Sequence, residues 1–212
     1  RQFAAFIDEI IQEFSLEVDR LEADVPTRLS MRQRRERRSQ LLAKISAMRV
    51  LQTTAQMELG VNPETRPLHR LWTELDLLIS QLMSVLDGLR GLPAPIQAPS
   101  AIKTLHQEEA RVIRHQIQLL SRLAEMLRQL DPGARQSLDL ECLKPLDLTL
   151  TAAAKQMTTN LENRVGSEAL SSVPTARMRQ IVQRSSLIRH GASVLHDCLP
   201  GMAGSQPVTA NR

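Results

Sequence analysis

The 212-residue sequence contains few side chains of the kinds that carry out catalysis or hold metal ions. His106 and Glu109 are three residues apart on a predicted helix, so they share a face and a metal could in principle contact both. The usual di-metal site needs a Glu-x-x-His motif on each of two helices, and no second copy is present. We therefore predict no metal and no cofactor, and solvated surface positions for His106, Glu108, Glu109 and His115.

A second histidine allows a different interpretation. His190 lies within LIRHGASVL, and four-helix phosphotransfer domains display an exposed His on a helix. The Lys and Gly that usually follow such a histidine are not in place here. The sequence also lacks G-x-x-x-x-G-K-[ST], G-x-S-x-G, G-x-G-x-x-G and H-E-x-x-H. We predict no catalytic residues and no enzymatic activity.

Composition indicates the elements that would position these side chains. Aromatic residues make up 2% of the chain, with no Tyr, and the apolar share of 42% is nearly all aliphatic or Met. Leu, Ala, Met, Gln, Glu and Arg favour helices, whereas strands favour β-branched residues and the aromatic residues that are scarce here. Eight glycines leave little material for hairpin turns. The predicted fold class is all-α, a bundle of five or six mostly antiparallel helices.

Apolar periodicity and proline positions predict the order of these helices. The first three cover about residues 2–23, 31–59 and 67–89, and a fourth is capped by Ser100. A fifth begins at Asp131-Pro132, runs to about Val165 and is kinked or broken at Pro145. A sixth follows Pro174. The third is apolar nearly all round, so it should be buried on several sides or face a partner, and Trp72 within it is most simply a core residue.

This pattern gives a domain organisation. Residues 1–92 form N-terminal helical hairpins, 93–99 a Pro-rich linker, 100–199 the C-terminal helices of the same bundle, and 200–212 a disordered tail. Cys142 and Cys198 are too few for a disulfide framework or a zinc cluster and are predicted to be free. The sequence begins at Arg1 and contains neither a signal-peptide pattern nor a run of about 18 apolar residues, although flanking segments of a parent protein could span a membrane.

Charge is unevenly distributed along the first two helices. Helix one is acidic, and helix two opens with a basic cluster formed by Arg32, Arg34, Arg35, Arg37 and Arg38. The first interpretation is antiparallel pairing of the two helices, with their opposite charges meeting. The second is an anionic membrane surface, where each Arg gains on the order of 1 kcal/mol. Nucleic acid is the least favoured partner, because the net charge is only +4 and there is no aromatic platform for bases.

The stretch MRQRRERRSQLLAKISAMRVLQTTAQMELGVNPETRPLHRLWTELDLLISQLMSVLDGLRGL, residues 31–92, resembles a known family. It is similar to the cytoplasmic helical region of fusaric-acid-resistance and aromatic-acid-exporter proteins of the bacterial inner membrane. The likeness is one of order: an Arg-rich segment, a helix of the form L-x-x-I-x-x-M-R-x-L-x-x-T-A-x-x-E, an Asn-Pro loop and a Leu-dense helix. In that family the helical region lies between two blocks of membrane helices. The resemblance covers about 60 residues and carries over no substrate-binding residue.

The resemblance implies a non-catalytic domain of an efflux-type transporter, on the cytoplasmic side of the bacterial inner membrane, with a structural, oligomerising or regulatory role. An Arg cluster close to a membrane exit agrees with the positive-inside tendency. The partners expected are a second copy of the chain or another helical protein, with an anionic membrane surface next. The alternative is a free-standing helical scaffold or adaptor that binds another protein through its Leu-rich surfaces.

Overall fold

A computed structural model describes residues 2–22, 31–59, 66–92, 100–129, 140–165 and 173–202. These ranges are helical almost throughout, which confirms the all-α prediction. Six α-helices and one 3-10 turn lie within them: α1 Gln2–Glu22, α2 Met31–Leu59, α3 Arg66–Gly91, α4 Ser100–Gln129, the 3-10 turn Leu140–Leu143, α5 Lys144–Val165 and α6 Thr175–Met202. The predicted linker 93–99 lies outside the described residues.

Helices that follow one another along the chain run antiparallel. Arg128, near the end of α4, pairs with Asp8 near the start of α1. Arg114, nearer the middle of α4, pairs with Glu22 at the end of α1, so these two helices run in opposite directions. Asn160, near the end of α5, donates to Glu108 near the start of α4. His196 of α6 contacts Asp147 in the first turn of α5. The six helices therefore alternate in direction, and the ends of α1, α3 and α5 meet the starts of α4 and α6 at one end of the bundle.

One main hydrophobic core joins the two halves of the chain. It contains apolar side chains from all six helices, and its largest fully buried members come from α1, α3 and α4. A smaller cluster of Ile102, Leu105, Leu161 and Ile181 lies where α4, α5 and α6 meet. The helices before and after the predicted linker therefore share a core, with α1 packed on α4 and α3 packed on α6.

The apolar surface of α3 is covered mainly by its own neighbours. Leu75, Leu78, Ile79, Leu82 and Leu86 are each about 99–100% buried, because α1 and α6 both pack on this helix. Gly88 allows a close approach to α6: a Cβ there would lie 2.9 Å from the Leu187 methyl carbons. Trp72 is partly buried and meets His69 edge to face, with ring centroids 5.5 Å apart.

Two prolines clarify the predicted helix ends. Pro145 lies in the first turn of α5, directly after the 3-10 turn, so the predicted break is present at this position. The start predicted at Asp131-Pro132 lies outside the described residues. The tail predicted from residue 200 was placed too early, because α6 continues through Pro200 and ends at Met202, whose side chain is buried in the core. Residues 203–212 lie outside the described part.

Candidate functional site

A cluster of polar side chains is buried where α1 and α3 end and α4 and α6 begin. It combines two carboxylates, two guanidinium groups, an imidazole, an amide and a hydroxyl. Its members are Glu17 and Arg20 of α1, His106, Glu109 and Gln116 of α4, and Arg184 and Ser185 of α6. Buried charged groups cost free energy unless they are paired, so their mutual contacts decide what the cluster does.

Arg20 joins α1 to the end of α3. Its Nη1 donates to Glu17 within the same helix and to the Leu89 carbonyl oxygen at 3.4 Å. Its Nη2 donates to the Leu92 carbonyl oxygen at 2.5 Å. Carbonyl groups in the last turn of a helix have no partner within that helix and carry partial negative charge. Arg20 therefore satisfies the end of α3 and fixes the position of α1 beside it.

Glu109 joins α4 to α6. The Ser185 hydroxyl donates to Glu109 Oε1 at 2.7 Å, while Glu109 Oε2 has no hydrogen-bond partner among the described residues. Burial raises the pKa of Glu109 to about 7, and nearby Glu108 adds to this rise. The Arg184 guanidinium and the Ser185 hydroxyl oppose it. This carboxyl group thus changes charge near neutral pH, inside the bundle.

His106 lies one turn before Glu109 and is 5% exposed. Burial, with smaller contributions from Arg184 and Arg177, lowers the pKa of His106 to about 4, so the imidazole is neutral at neutral pH. The prediction that His106 and Glu109 are solvated was wrong. Helix α4 packs on α1, α5 and α6, which leaves neither side chain on a solvent-facing surface.

Gln116 completes the connection between α4 and α6. Its Nε2 donates to the Ile188 carbonyl oxygen at 2.8 Å, and its side chain is fully buried. A Cβ on Gly191 would lie 3.1 Å from that nitrogen and 3.4 Å from Val85. The glycine therefore makes room for the amide at the point where three helices meet.

The geometry of the cluster suits helix positioning better than chemistry on a substrate. Ser185 is 4% exposed and its hydroxyl already donates to Glu109. Two surface cavities, one along α6 and one between α5 and α6, include no cluster residue. Within the described ranges, no three His, Cys, Asp or Glu side chains gather closely enough to hold a metal ion.

Helix α2 presents the opposite case, with apolar side chains exposed to solvent. Its buried residues Leu41, Ile45 and Met48 pack on the core along one face. On the opposite face, at alternating spacings of four and three residues, lies an exposed line that we call the outer stripe: Ala43, Ala47, Val50, Thr54 and Met57. Val50 is 66% exposed and Met57 79%.

The basic cluster predicted as a membrane-facing or helix-pairing site lies in the first two turns of α2. The side chains of Arg32, Arg34, Arg35, Arg37 and Arg38 are outside the described residues, so their role stays a prediction. The described acidic residues of α1 form most of their ion pairs with helices other than α2. Glu13 pairs with Arg90 of α3 at 2.5 Å, and Asp8 and Glu22 pair with α4. Lys44, further along α2, pairs with Glu9.

Sequence reasoning missed both features, although the spacing carries a signal for each. In α4, Glu109 and Gln116 fall within the heptad line of Leu105, Ile113 and Leu120, which marks them as core positions. In α2, two heptad lines run on opposite faces, and only one can pack on the bundle.

The remaining candidates are single side chains. His190 is exposed on α6. Cys142 is exposed and Cys198 buried, and neither forms a disulfide bond, as predicted. Burial raises the pKa of the Cys198 thiol to about 11, so it is a poor nucleophile.

No helix within the described ranges has the length and apolarity needed to cross a membrane. Comparison with known proteins identified no matching family model, no similar curated protein and no similar solved structure. The resemblance of residues 31–92 to the exporter family therefore stays a prediction.

Proposed function

We propose that this chain is a non-catalytic helical domain that associates with a second copy of itself through the outer stripe of α2. The observation that carries the proposal is the presence of apolar residues on two opposite faces of α2, of which the bundle covers only one. A helix that is apolar on two sides is expected to have a neighbour on each. The described residues supply no neighbour for the outer stripe, and a second copy of the chain would provide one.

The composition of the outer stripe favours another helix as that neighbour. Its spacing of four and three residues is the repeat by which two helices pack side by side over several turns. Ala43 and Ala47 allow close approach, and Val50 and Met57 supply apolar area. None of its five residues is charged. The stripe extends over 14 residues of rise, about 21 Å, so the interface is small and the association is expected to be roughly micromolar.

Charge favours antiparallel pairing of the two copies. A parallel pair would bring the two Arg-rich starts of α2 side by side, with at least five positive charges on each. An antiparallel pair places these starts at opposite ends of the interface, where their repulsion is screened by distance and salt. We therefore propose a two-fold dimer in which α2 of one copy lies against α2 of the other.

Sedimentation velocity over a range of concentrations tests the association. We expect the 212-residue chain to form dimers at high concentration. The Val50→Glu variant should remain monomeric up to concentrations at least tenfold higher, because its carboxylate would be buried without a partner. Leu148→Glu is the matched control, since Leu148 is an exposed apolar residue of α5, and this variant should dimerise like the parent. A strict monomer at several hundred micromolar would overturn self-association and leave the adaptor alternative favoured.

For the biological setting, we propose the cytoplasmic side of a bacterial inner-membrane efflux-type transporter, in which this domain holds subunits together. Two observations support the setting: the order of motifs in residues 31–92, and the Arg-rich start of α2. The full-length parent sequence tests it without any protein chemistry. Apolar runs of 18 or more residues on the flanks are expected, and their absence would remove the transporter setting while leaving the dimer untouched.

A further inference from the structure

A groove between α5 and α6 combines basic and hydroxyl side chains in a way that the proposed dimer does not use. Its volume is about 290 Å³. Buried Ala154 and Ala192 form its floor, and the remaining lining is polar or charged: Thr151, Lys155, Thr158, Thr159, Arg189, Ser193 and His196. No carboxylate is among the lining residues.

The two strongest cations of this groove have no described counter-ion. Lys155 and Arg189 are both exposed, and neither forms an ion pair with any residue in the ranges that the structure covers. Asp147 lies near one end, where it contacts His196 at 2.9 Å. The positive charge at Lys155 and Arg189 is therefore available to an external anion.

The hydroxyl groups add donors of the kind that bind phosphate oxygens. Thr158 donates to the Ala154 carbonyl oxygen at 3.0 Å, whereas Thr151, Thr159 and Ser193 make no hydrogen bond to the described residues. A phosphate group carries negative charge on several acceptor oxygens. This groove offers it an ammonium group, a guanidinium group and several hydroxyl donors around a small floor without carboxylates.

We propose that the α5–α6 groove binds a phosphate-bearing ligand, with Lys155 and Arg189 as its charge partners and Thr151, Thr159 and Ser193 as hydroxyl donors. The lining from Thr151 to Thr159 spans about 12 Å along α5, which is room for one phosphate or a pyrophosphate rather than for a polymer. The same phosphate chemistry occurs in free phosphates and in the headgroup of phosphatidic acid. The groove lies on helices other than α2, so phosphate binding and dimerisation can be tested independently.

Two binding measurements on the full chain distinguish these sources. Calorimetric titration with inorganic phosphate and with pyrophosphate tests a dissolved ligand. Co-sedimentation with phosphatidylcholine vesicles, with and without phosphatidic acid, tests a headgroup. The proposal expects binding in at least one arm, reduced about tenfold or more in Lys155→Gln/Arg189→Gln, since charge-assisted hydrogen bonds carry the affinity.

Matched variants separate a defined site from a general effect of net charge. Arg111→Gln/Arg179→Gln removes two exposed cations of α4 and α6 outside the groove and should leave binding unchanged. Ser193→Leu fills the groove without altering charge and should weaken binding as strongly as the double variant. Absence of binding in both arms would overturn the proposal. Equal loss in the two double variants would overturn it as well, and so would full binding by Ser193→Leu.

Discussion

Helices α2 and α4 are nearly the same length, 29 and 30 residues, yet polar and apolar side chains are placed on them in opposite ways. Helix α4 buries His106, Glu109 and Gln116 among apolar side chains, whereas α2 exposes Val50 and Met57 to solvent. The difference follows from their neighbours. Helix α4 packs against three other helices, and α2 packs on the bundle by one face.

The contrast shows that burial depends on how many neighbours a helix has as well as on its own pattern. The polar groups of α4 are tolerated because other helices supply partners for them, such as Ser185 and the Ile188 carbonyl. The apolar groups of the outer stripe of α2 have no such cover among the described residues. We interpret the first region as a device that fixes helix positions and the second as an interface.

The largest expected effect comes from removing the buried guanidinium of Arg184. This group is 4% exposed and lies close enough to Glu109 and Glu17 to interact electrostatically with both. Arg184→Met should lower the free energy of unfolding by about 3 kcal/mol, because it leaves buried carboxylates with less compensation. Urea unfolding followed by circular dichroism measures the change.

A control and a second variant test whether the loss arises from the cluster. Arg179→Met, at an exposed site on the same helix, should change stability by less than about 0.5 kcal/mol. Arg184→Met/Glu109→Gln should recover part of the loss. If the double variant is as unstable as the sum of the two single variants, the coupling between Arg184 and Glu109 is contradicted.

The next effect is a pair of opposite pH dependences. The folded-state pKa of His106 is lowered from 6.5 to about 4, so between these values the unfolded chain binds more protons and His106 makes stability rise with pH. The folded-state pKa of Glu109 is raised from 4.5 to about 7, so the folded chain binds more protons and stability falls with pH. The two contributions oppose each other between about pH 4.5 and 6.5.

Each single variant should therefore change the slope of the free energy of unfolding against pH, and the two changes should have opposite signs. Relative to the parent, His106→Asn should become less stable with rising pH from 4 to 6.5, and Glu109→Gln more stable from 4.5 to 7. The slope of the difference is at most about 1.4 kcal/mol per pH unit for one proton. Urea unfolding at half-unit pH intervals measures this slope. Slopes of the same sign in the two variants would contradict the account.

A smaller effect is expected where α4 and α6 approach each other at Gly191. In Gly191→Ala the new methyl group would press on Gln116 and Val85. We expect a net loss of about 1 kcal/mol, because crowding outweighs the better helix propensity of Ala. Gly91→Ala, with no atom within 4 Å of its new Cβ, should be neutral or stabilising in the same thermal unfolding measurement. Equal effects of the two changes would contradict the close approach.

The smallest effect concerns the attachment of α2 to the bundle by charge. Lys44→Ala removes the exposed ion pair with Glu9. Exposed pairs contribute less than about 1 kcal/mol, so thermal unfolding should shift by only a few degrees or less. A larger loss would mean that charge, rather than Leu41, Ile45 and Met48, holds α2 in place.

The sequence was sufficient for the helices because their ends depend on local features. Apolar periodicity placed α1, α2 and α3 within two residues, and Pro145 marked the start of α5. The cluster could not be predicted in the same way, because a buried Arg184 differs from a surface arginine only through the helices that pack on it. The end of α6 was misplaced for a similar reason, since the core contact of Met202 outweighs the helix-breaking tendency of Pro200.

The distance between the two copies of α2 tests the central claim most directly. A spin label on Glu36→Cys in a Cys142→Ser background reads this distance, because the remaining thiol, Cys198, is buried. Antiparallel pairing through the outer stripe predicts labels roughly 40–50 Å apart, whereas a parallel pair would place them within about 20 Å. We expect the long distance in the parent and its loss in Val50→Glu. A dipolar signal that persists in Val50→Glu, or no signal between chains at several hundred micromolar, would contradict the assignment of α2 as the interface.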